Sequence, residues 1–234
     1  MELLIKGSTE LNKMFAALQR TASSLRRDFG EVENLQQSLR GARGFVQHAA
    51  ARIEESILND LLLVRPSAGL LTPNMSRDGD GRDEFVLALS GGENFVRANP
   101  HFAISLALRT NDETKIALIY SPIDERLYYA ELGNGAYAYS AFHSARTRVS
   151  NIEDIADAMI AYNTGDARPV LGTPRRTGCP ALDLAWVASG KFDAYVSGPL
   201  DYAEIAAGDL LVREAGGQIE MAADLVATNG KIKL

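Results

Sequence analysis

The sequence lacks several features that would place it in a specialised class of proteins. It has a single cysteine, Cys179, among 234 residues, which excludes an internal disulfide framework and is typical of a reducing compartment. No stretch approaches the roughly 18 apolar residues that a membrane-spanning helix needs, and the N-terminal segment has no signal-peptide apolar core. We therefore expect a cytoplasmic protein with no membrane partner.

An excess of positive charge is also missing. The formal net charge is −6, which argues against a protein that binds nucleic acid directly through a general basic field. Apolar residues make up 46% of the chain and charged residues 23%, both close to globular averages. At this length the chain can bury a substantial core, so a folded protein is predicted.

Two helices are predicted in the first third of the chain. Apolar residues fall on one helical face from Leu11 to Leu25, and this helix is expected to stop at Gly30. A second stripe predicts a helix over Phe45–Leu63, ahead of Pro66. The polar segment after it, 74–83, reads as a loop.

Short strands are predicted next, followed by alternating helices and strands. Tight links predict antiparallel neighbours over 85–89, 102–108, 115–120, 126–132 and 136–139. Later strands are predicted at 158–162 and 192–196, and glycine-closed helices at 181–189 and 202–215. This order predicts a mixed α+β and α/β fold, with an antiparallel half over 1–150 and a smaller α/β half over 151–234 in one compact unit.

Four stretches of the chain resemble one protein family. IALIYSPIDERLYYAELGNGAYAY is similar to a strand–turn–strand block of the inositol monophosphatase family, whose pattern is P-x-x-D-E-L-F-x-A-x-x-G-x-G-A. ALDLAWVASGKFDAYV and IAAGDLLVREAGGQIE resemble the C-terminal half of that family. LRRDFGEVENLQQSLRG is similar to its bacterial branch that includes the extragenic suppressor protein SuhB. The resemblance extends over nearly the whole chain, with these blocks in the family's order.

The resemblance implies a structure and an ancestral chemistry. The family has a layered αβαβα sandwich, is commonly dimeric, and contains magnesium-dependent phosphomonoesterases. Such enzymes need several carboxylate ligands, because magnesium prefers octahedral oxygen coordination and activates water while neutralising phosphoryl charge. The suppressor branch is linked to the transcription machinery as well as to phosphatase activity.

The first metal motif of the family is replaced in this chain. Its lead-in, Asp-Pro-Ile/Leu-Asp-Gly-Thr, aligns without gaps through the flanking anchors Asn94-Phe95 and Pro100–Phe102. The first aspartate then falls on Leu87, the second on Ser90, and the water-positioning threonine on Gly92. Of this motif only Gly91 is kept.

The remaining ligand positions are also changed. The family's paired glutamates fall near Pro73 and Asn74, and an earlier aspartate falls on Ala50. A glutamate that contacts the inositol ring falls on Ser197. The C-terminal aspartate falls on Glu204, the one carboxylate left from the metal set.

Each of these features has a simpler explanation. Ser90-Gly91-Gly92 could form an anion site at a helix start, but a plain glycine turn is favoured because Glu93 would repel a phosphate. For Glu204 a position on the helix surface is favoured over a metal ligand. Asp124 follows Pro122-Ile123 in a superficial copy of the metal motif, and a turn role is favoured.

Other candidate residues are given structural roles. Cys179 has no visible acid or base neighbours, so a nucleophilic role is disfavoured. Asp183 is expected to pack or cap, and Trp186 to lie in the core. The histidines at 48, 101 and 143 show no catalytic partner. The family's extra helix is expected to be missing between Asn163 and Arg176, and its terminal helix after LVATNGKIKL.

Three hypotheses follow. The preferred one is a degenerate family member, a pseudoenzyme without magnesium, that has lost phosphatase activity and serves a binding or regulatory role. The alternative is a magnesium-dependent inositol-1-monophosphatase-like phosphomonoesterase with an altered metal site, built from Glu204 and the loop acids Asp78, Asp80, Asp83 and Glu84. The third is a dimer partner for a paralogous phosphatase. A homodimer is expected, with the transcription machinery as a possible partner.

Overall fold

A computed structural model describes residues 5–34, 39–140, 143–163 and 171–234 of the chain. Its helices are α1 (Thr9–Asn34), α2 (Leu39–Val64), α3 (Gly92–Val96), α4 (Pro180–Ala188) and α5 (Tyr202–Glu214). Within that described part, no helix combines the length and the apolar character needed to cross a bilayer.

In the residues that the structure describes, thirteen strands form two sheets. The first eight strands are β1 (Gly69–Leu71), β2 (Ser76–Arg77), β3 (Asp83–Ser90), β4 (Ala103–Thr110), β5 (Glu113–Ser121), β6 (Arg126–Glu131), β7 (Gly135–Ser140) and β8 (His143–Thr147). The other five are β9 (Met159–Tyr162), β10 (Thr173–Arg175), β11 (Ala194–Ser197), β12 (Gln218–Met221) and β13 (Leu225–Thr228).

The first sheet has the order β2-β1-β3-β4-β5-β6-β7-β8. From β3 to β8 every neighbouring pair is antiparallel, while β1 runs parallel to β3. The five predicted antiparallel strands are confirmed to within two residues at each end. The short hairpin links predicted them because antiparallel neighbours need only a few connecting residues.

The side chains of the first sheet alternate between two helical layers. Phe85, Leu87 and Leu106 pack with α1 and α2 in one hydrophobic cluster. Val86 and Ala88 pack with α4 and α5 in another. This two-sided burial explains why β3 reads as a continuous apolar run, and it encloses α4 and α5 between two sheets.

The second sheet has the order β10-β9-β11-β13-β12. β10, β9 and β11 are parallel, and β13 pairs antiparallel with β11 and β12. One face of this sheet packs on α4 and α5, and its other face forms a small cluster around Ile160 and Ile232. The predicted layered fold is confirmed. Each sheet lies on one side of residue 150, and the division into two halves stays a prediction.

Several local predictions were wrong. α1 continues through Gly30 to Asn34. The backbone at Gly30 has open space around it, no cap ends the helix there, and α1 stays packed on α2. The predicted loop over 74–83 contains β2. The strands β1, β8, β10, β12 and β13 were not predicted, because each is only three to five residues long. The expected shortening between Asn163 and Arg176, and part of the suppressor-like stretch, lie outside the described residues.

Candidate functional site

The regular pleat of β3 separates the two positions where the family motif has aspartates. β3 pairs with β4 without a break from Asp83↔Thr110 to Ser90↔Ala103. Because side chains alternate along a strand, Leu87 points into the cluster with α1 and α2, while Ser90 points toward α4. Leu87 is therefore packed in the core and offers no ligand, and Ser90 offers only a hydroxyl that α4 already uses.

Ser90 has a structural role at the start of α4. Its side chain is fully buried, and its Oγ accepts a hydrogen bond from the Ala181 backbone N at 3.2 Å. The thiol of Cys179 also donates to this oxygen, at 3.7 Å. The first N–H groups of a helix lack intrahelical partners, so Ser90 satisfies one of them from across the sheet.

Gly91 is kept for a steric reason. Its φ is +83°, and an added Cβ would lie 2.9 Å from the His101 carbonyl oxygen and 3.2 Å from Cys179 Cβ. Gly92 has nothing within 4 Å of such a Cβ. The turn therefore needs glycine at the first position only, because an L-residue would be strained and would clash there.

The anion site considered at Ser90-Gly91-Gly92 is not supported by this geometry. The helix that follows, α3, has only five residues, and Ser90 Oγ is already used by α4. Glu93 lies in the first turn and pairs with Arg43 at 3.0 Å. The favoured interpretation, a glycine turn, agrees with the structure.

Asn94 explains why the anchors after the motif are still recognisable. Its side-chain amide donates to the His101 carbonyl at 2.7 Å and to the Thr177 carbonyl at 2.8 Å. Next to it, the rings of Phe95 and Phe102 stack with centroids 4.6 Å apart. These contacts join α3, β4 and the segment before α4, so they hold the fold whether or not a metal binds.

The upstream motif positions lie around α2. Ala50 is half-buried on α2, and Pro73 and Asn74 are exposed in the turn after β1. The Asn74 amide donates to Oε1 of Glu54 at 3.0 Å, and Glu54 is 7% exposed. Glu54 lies one helical turn after Ala50, so its carboxylate is the acid nearest to these positions along α2.

Glu204 is half-buried with one buried carboxyl oxygen, so the expected position on the solvated surface of a helix is wrong for that oxygen. It lies in the first turn of α5, behind the N-cap Asp201, whose side chain accepts from the Ala203 backbone N. Its Oε2 is buried and has no hydrogen-bond partner in the described residues. Burial raises the pKa of Glu204, and the nearby carboxyl of Asp201 raises it further.

A second buried acid, Asp183, belongs to the same region. Asp183 is 1% exposed and accepts a hydrogen bond from Thr177 Oγ1 at 2.6 Å, while its Oδ2 has no partner in the described chain. Burial raises the pKa of Asp183 to about 7. The expected packing or capping role agrees with this position, because the carboxyl holds the turn ahead of α4.

Cys179 and Tyr195 complete this buried polar cluster. Burial raises the pKa of the Cys179 thiol to about 12, and the carboxyls of Asp183 and Glu204 add to the rise. Burial also raises the pKa of Tyr195, with the same two carboxyls and the thiol contributing. A thiol with so high a pKa carries almost no thiolate at neutral pH, which leaves it a poor nucleophile.

The sequence did not predict that these residues lie together. Ser90 and Cys179 are 89 positions apart, and the spacing gives no sign of their contact. Ser197, the position of the family's ring-contacting glutamate, is buried at the end of β11. It lies two residues after Tyr195, on the same face of that strand.

The donor set does not fit a magnesium ion. Magnesium needs about six oxygen ligands in near-octahedral geometry. Among the residues that the structure describes, no group of three or more His, Cys, Asp or Glu side chains is placed to hold a metal. Glu204 is accompanied by a buried hydroxyl and a neutral thiol, at Ser90 and Cys179.

The loop acids of the alternative hypothesis are engaged elsewhere. Asp80 accepts hydrogen bonds from the Ser67 hydroxyl and from the backbone N–H groups of Arg82 and Asp83. The hydrogen bond from Arg82 is the main cause of the lowered pKa of Asp80. Asp83 accepts from Thr110, and Glu84 pairs with Arg109 at 2.8 Å.

A cavity of about 370 Å³ has four acids in its wall, Asp78, Asp83, Glu84 and Asp112, together with three arginines. The arginines, Arg77, Arg82 and Arg109, would oppose a cation. Glu84 is also six residues from Ser90 along β3, a separation of about 20 Å. The loop acids therefore do not converge with the motif positions.

The remaining candidate residues are Asp124, Trp186 and the histidines. Asp124 lies in the turn between β5 and β6 and accepts from Ser121 Oγ at 3.3 Å, as the turn role predicts. Trp186 is half-buried rather than in the core, because it packs at the outer side of α4 against His101 and Phe192. The other two histidines, 48 and 143, are exposed.

The chain matches known proteins over most of its length. A sequence model described as "Inositol monophosphatase family" matches residues 8–225. The chain is 37% identical over 228 residues to an inositol-1-monophosphatase of Rhizobium meliloti, covering 90% of this chain and 84% of that one. It is 30% identical over 226 residues to the Nus factor SuhB of Escherichia coli K12, covering 88% and 83%.

Solved structures agree with this match. The crystal structure of the extragenic suppressor protein SuhB from Bartonella henselae superposes with a TM-score of 0.83 at 32% identity, covering 96% of this chain and 95% of that one. Inositol monophosphatase from Anabaena superposes with a TM-score of 0.77 at 22% identity, which supports the fold alone. The chain belongs to the inositol monophosphatase family.

Proposed function

We propose that this protein is a non-catalytic member of the family that acts through binding, in a regulatory role. The main support is the pair of residues at β3, where Leu87 and Ser90 occupy the aspartate positions of the metal motif and neither has a carboxylate. Removing several carboxylates from a magnesium site leaves too few ligands to retain the ion. Phosphoryl transfer by this chemistry depends on that ion.

The remaining acids support the same proposal. Asp183 and Glu204 both have a raised pKa, mainly because they are buried. Two carboxyls, one of which already accepts from Thr177, are too few to supply the oxygen ligands that magnesium requires.

A partner in transcription is the binding role that the relatives favour. Relatives from three bacteria, Pasteurella multocida, Xylella fastidiosa and Escherichia coli, carry the name Nus factor SuhB. Other relatives are named inositol-1-monophosphatase, so similarity by itself does not separate the two roles. We propose the transcription machinery as partner, with a homodimer or a paralogous phosphatase as the other assemblies to distinguish.

The enzymatic part of the proposal is tested by hydrolysis of inositol 1-phosphate in millimolar magnesium. We expect the wild-type protein and the Glu204→Ala variant to release phosphate at the same background rate. Magnesium-dependent turnover that the wild type has and Glu204→Ala lacks would reject the proposal. A Glu214→Ala variant is the matched control, because Glu214 lies at the other end of α5 and binds the β6–β7 turn.

Metal binding is tested separately by thermal unfolding. A ligand that binds only the folded state raises the melting temperature with concentration. We expect no concentration-dependent rise with magnesium, manganese or calcium. A rise that disappears in Glu204→Ala would instead support the altered-site phosphatase.

Purification from native extract addresses the partner. Transcription proteins that copurify are then purified and mixed with this protein. A complex that forms again from the purified components would support the proposed role. A stable complex with an active paralogous phosphatase would favour the dimer-partner hypothesis instead. A clean homodimer that binds neither class would contradict both.

A further inference from the structure

A cavity of about 340 Å³ lies where the β5–β6 hairpin meets the outer side of α4. The hairpin contributes Asp124 and Arg126 to its wall, and α4 with the turn that follows contributes Trp186 and Lys191. None of its lining residues is a position of the ancestral metal motif. A ligand could therefore bind here whether or not the chain hydrolyses phosphate esters.

The ammonium group of Lys191 is fixed at the wall of this cavity. Its Nζ donates to the hydroxyl of Tyr128 at 2.6 Å and lies 5.1 Å from the ring centroid of that residue. The indole of Trp186 is 5.4 Å away on another side. A hydroxyl acceptor and the nearby indole hold a cation without neutralising it, so Lys191 is positioned for a ligand before the ligand binds.

Two cations share the cavity without acidic partners. In the described part of the chain, neither Arg126 nor Lys191 has a carboxylate within ion-pair distance. Arg109, on β4 of the same sheet, is by contrast paired with Glu84. Two unpaired cations in one wall repel each other unless solvent or an anion screens them.

The one acid in the wall does not neutralise them. Asp124 accepts from Ser121 Oγ at 3.3 Å and influences His101, which packs against Trp186. Burial lowers the pKa of His101, so its ring is uncharged at neutral pH. The two cations and the single acid leave the cavity with one net positive charge.

We propose that this cavity binds a small organic anion in which a phosphate or carboxylate group is attached to a flat apolar part. The cations Arg126 and Lys191 would bind the oxyanion, because charge-assisted hydrogen bonds to oxyanions are the strong ones. Trp186 and Leu182 form the apolar wall beside them. The volume falls within the range of small-molecule sites.

The test uses three probes with the full-length protein at low salt: phenyl phosphate, benzoate and inorganic phosphate. Isothermal titration calorimetry should give millimolar or tighter binding of phenyl phosphate or benzoate, and weaker binding of inorganic phosphate. The stronger of the two aromatic probes identifies the oxyanion. Arg126→Ala and Lys191→Met should each weaken it about tenfold or more.

Two further variants make the result specific. Trp186→Leu should weaken the aromatic probes and leave inorganic phosphate unchanged. Lys231→Met is the matched control, because Lys231 pairs with exposed Glu153 and does not line the cavity, and it should bind as the wild type does. Lys191→Met keeps the apolar stem, so it separates loss of charge from loss of folding.

Two results would overturn the proposal. One is no heat of binding for any of the three probes at millimolar concentration. The other is binding that persists unchanged in both Arg126→Ala and Lys191→Met.

Discussion

The end of β3 meets the starts of α4 and α5 at Ser90, and the strand differs from the two helix starts in the groups that it buries. At β3, Leu87 is packed in an apolar cluster and Ser90 is bonded to the α4 backbone. At the helix starts, Asp183 and Glu204 are still acids, although each has a buried oxygen with no hydrogen-bond partner among the described residues. The strand side has become packed core, and the helix side has kept its acidic groups.

The residues of a metal motif can thus be replaced in different ways at the strand and at the starts of the helices. An apolar residue removes the need for a cation at once, because it adds burial and no charge. A buried carboxyl removes that need by staying protonated, at the cost of pH dependence. Four substitutions, at positions 87, 183, 91 and 90, test the packed apolar residue, the buried carboxyl and the contacts between them, in decreasing order of expected effect.

Returning an aspartate to the strand side should have the largest effect. Leu87→Asp places a charge among residues of α1, α2 and β4 without a cation, and we expect a loss of about 5 kcal/mol in unfolding free energy. Urea denaturation measures it. Leu87→Met should cost less than about 1.5 kcal/mol. Recovery of stability in Leu87→Asp on adding magnesium would show that an ion can still bind here.

At the start of α4, the buried carboxyl of Asp183 should make the free energy of unfolding depend on pH. The pKa of Asp183 is raised to about 7 in the folded state from 3.8, so the folded protein binds a proton that the unfolded chain has released. The contribution of this group to the free energy of unfolding is therefore largest below about pH 4, decreases between pH 4 and pH 7, and changes little above pH 7. The total is up to about 4 kcal/mol.

Asp183→Asn isolates that effect, since an amide oxygen can still accept from Thr177. Unfolding free energies measured by urea from pH 4.5 to 8, about one pH unit apart, should fall less steeply in the variant than in the wild type. The slope that remains is assigned to Glu204, whose pKa is also raised. Parallel curves for the two proteins would mean that Asp183 is ionised when folded.

The glycine turn between the two sides should show the next effect. Gly91→Ala adds a Cβ at φ +83° against His101 and Cys179, and we expect a loss of about 3 kcal/mol. Gly92→Ala has open space around its added Cβ and should change stability by less than about 1 kcal/mol. Equal losses in the two variants, seen by thermal unfolding, would contradict this account of the turn.

The smallest effect is expected at the contact that joins the sides. Ser90→Ala leaves the Ala181 backbone N without its acceptor, which should cost about 1.5 kcal/mol. Ser23→Ala is the control, because Ser23 is exposed and bonds only within its own helix region. Hydrogen exchange of the Ala181 amide should accelerate in Ser90→Ala if the contact is lost locally.

Much of the fold could be predicted because its signals are local. The stripes of α1 and α2, the hairpin links of the first sheet and the glycines that close α4 and α5 all depend on nearby residues. The strands of three to five residues and the continuation of α1 past Gly30 could not be predicted, because pairing and packing with distant segments decide them.

The candidate site shows the same limit. Counting residues against the motif identified which acids were replaced, at Leu87 and Ser90 among others. It did not predict the burial of Glu204, which was expected on a helix surface. Nor did it predict the half-exposed position of Trp186 beside Lys191, since these depend on how α4 and α5 pack between two sheets.

The family and the replacement of carboxylates at the motif positions can both be identified from the order of residues along the chain, because both are properties of residue identity. Only the tertiary structure decided that Leu87 and Ser90 lie on opposite faces of a sheet and that Asp183, Cys179 and Glu204 come together around Ser90. The physical reason is that ligand geometry and pKa depend on distances through space and on exclusion of water, and folding brings together residues that are far apart in the chain.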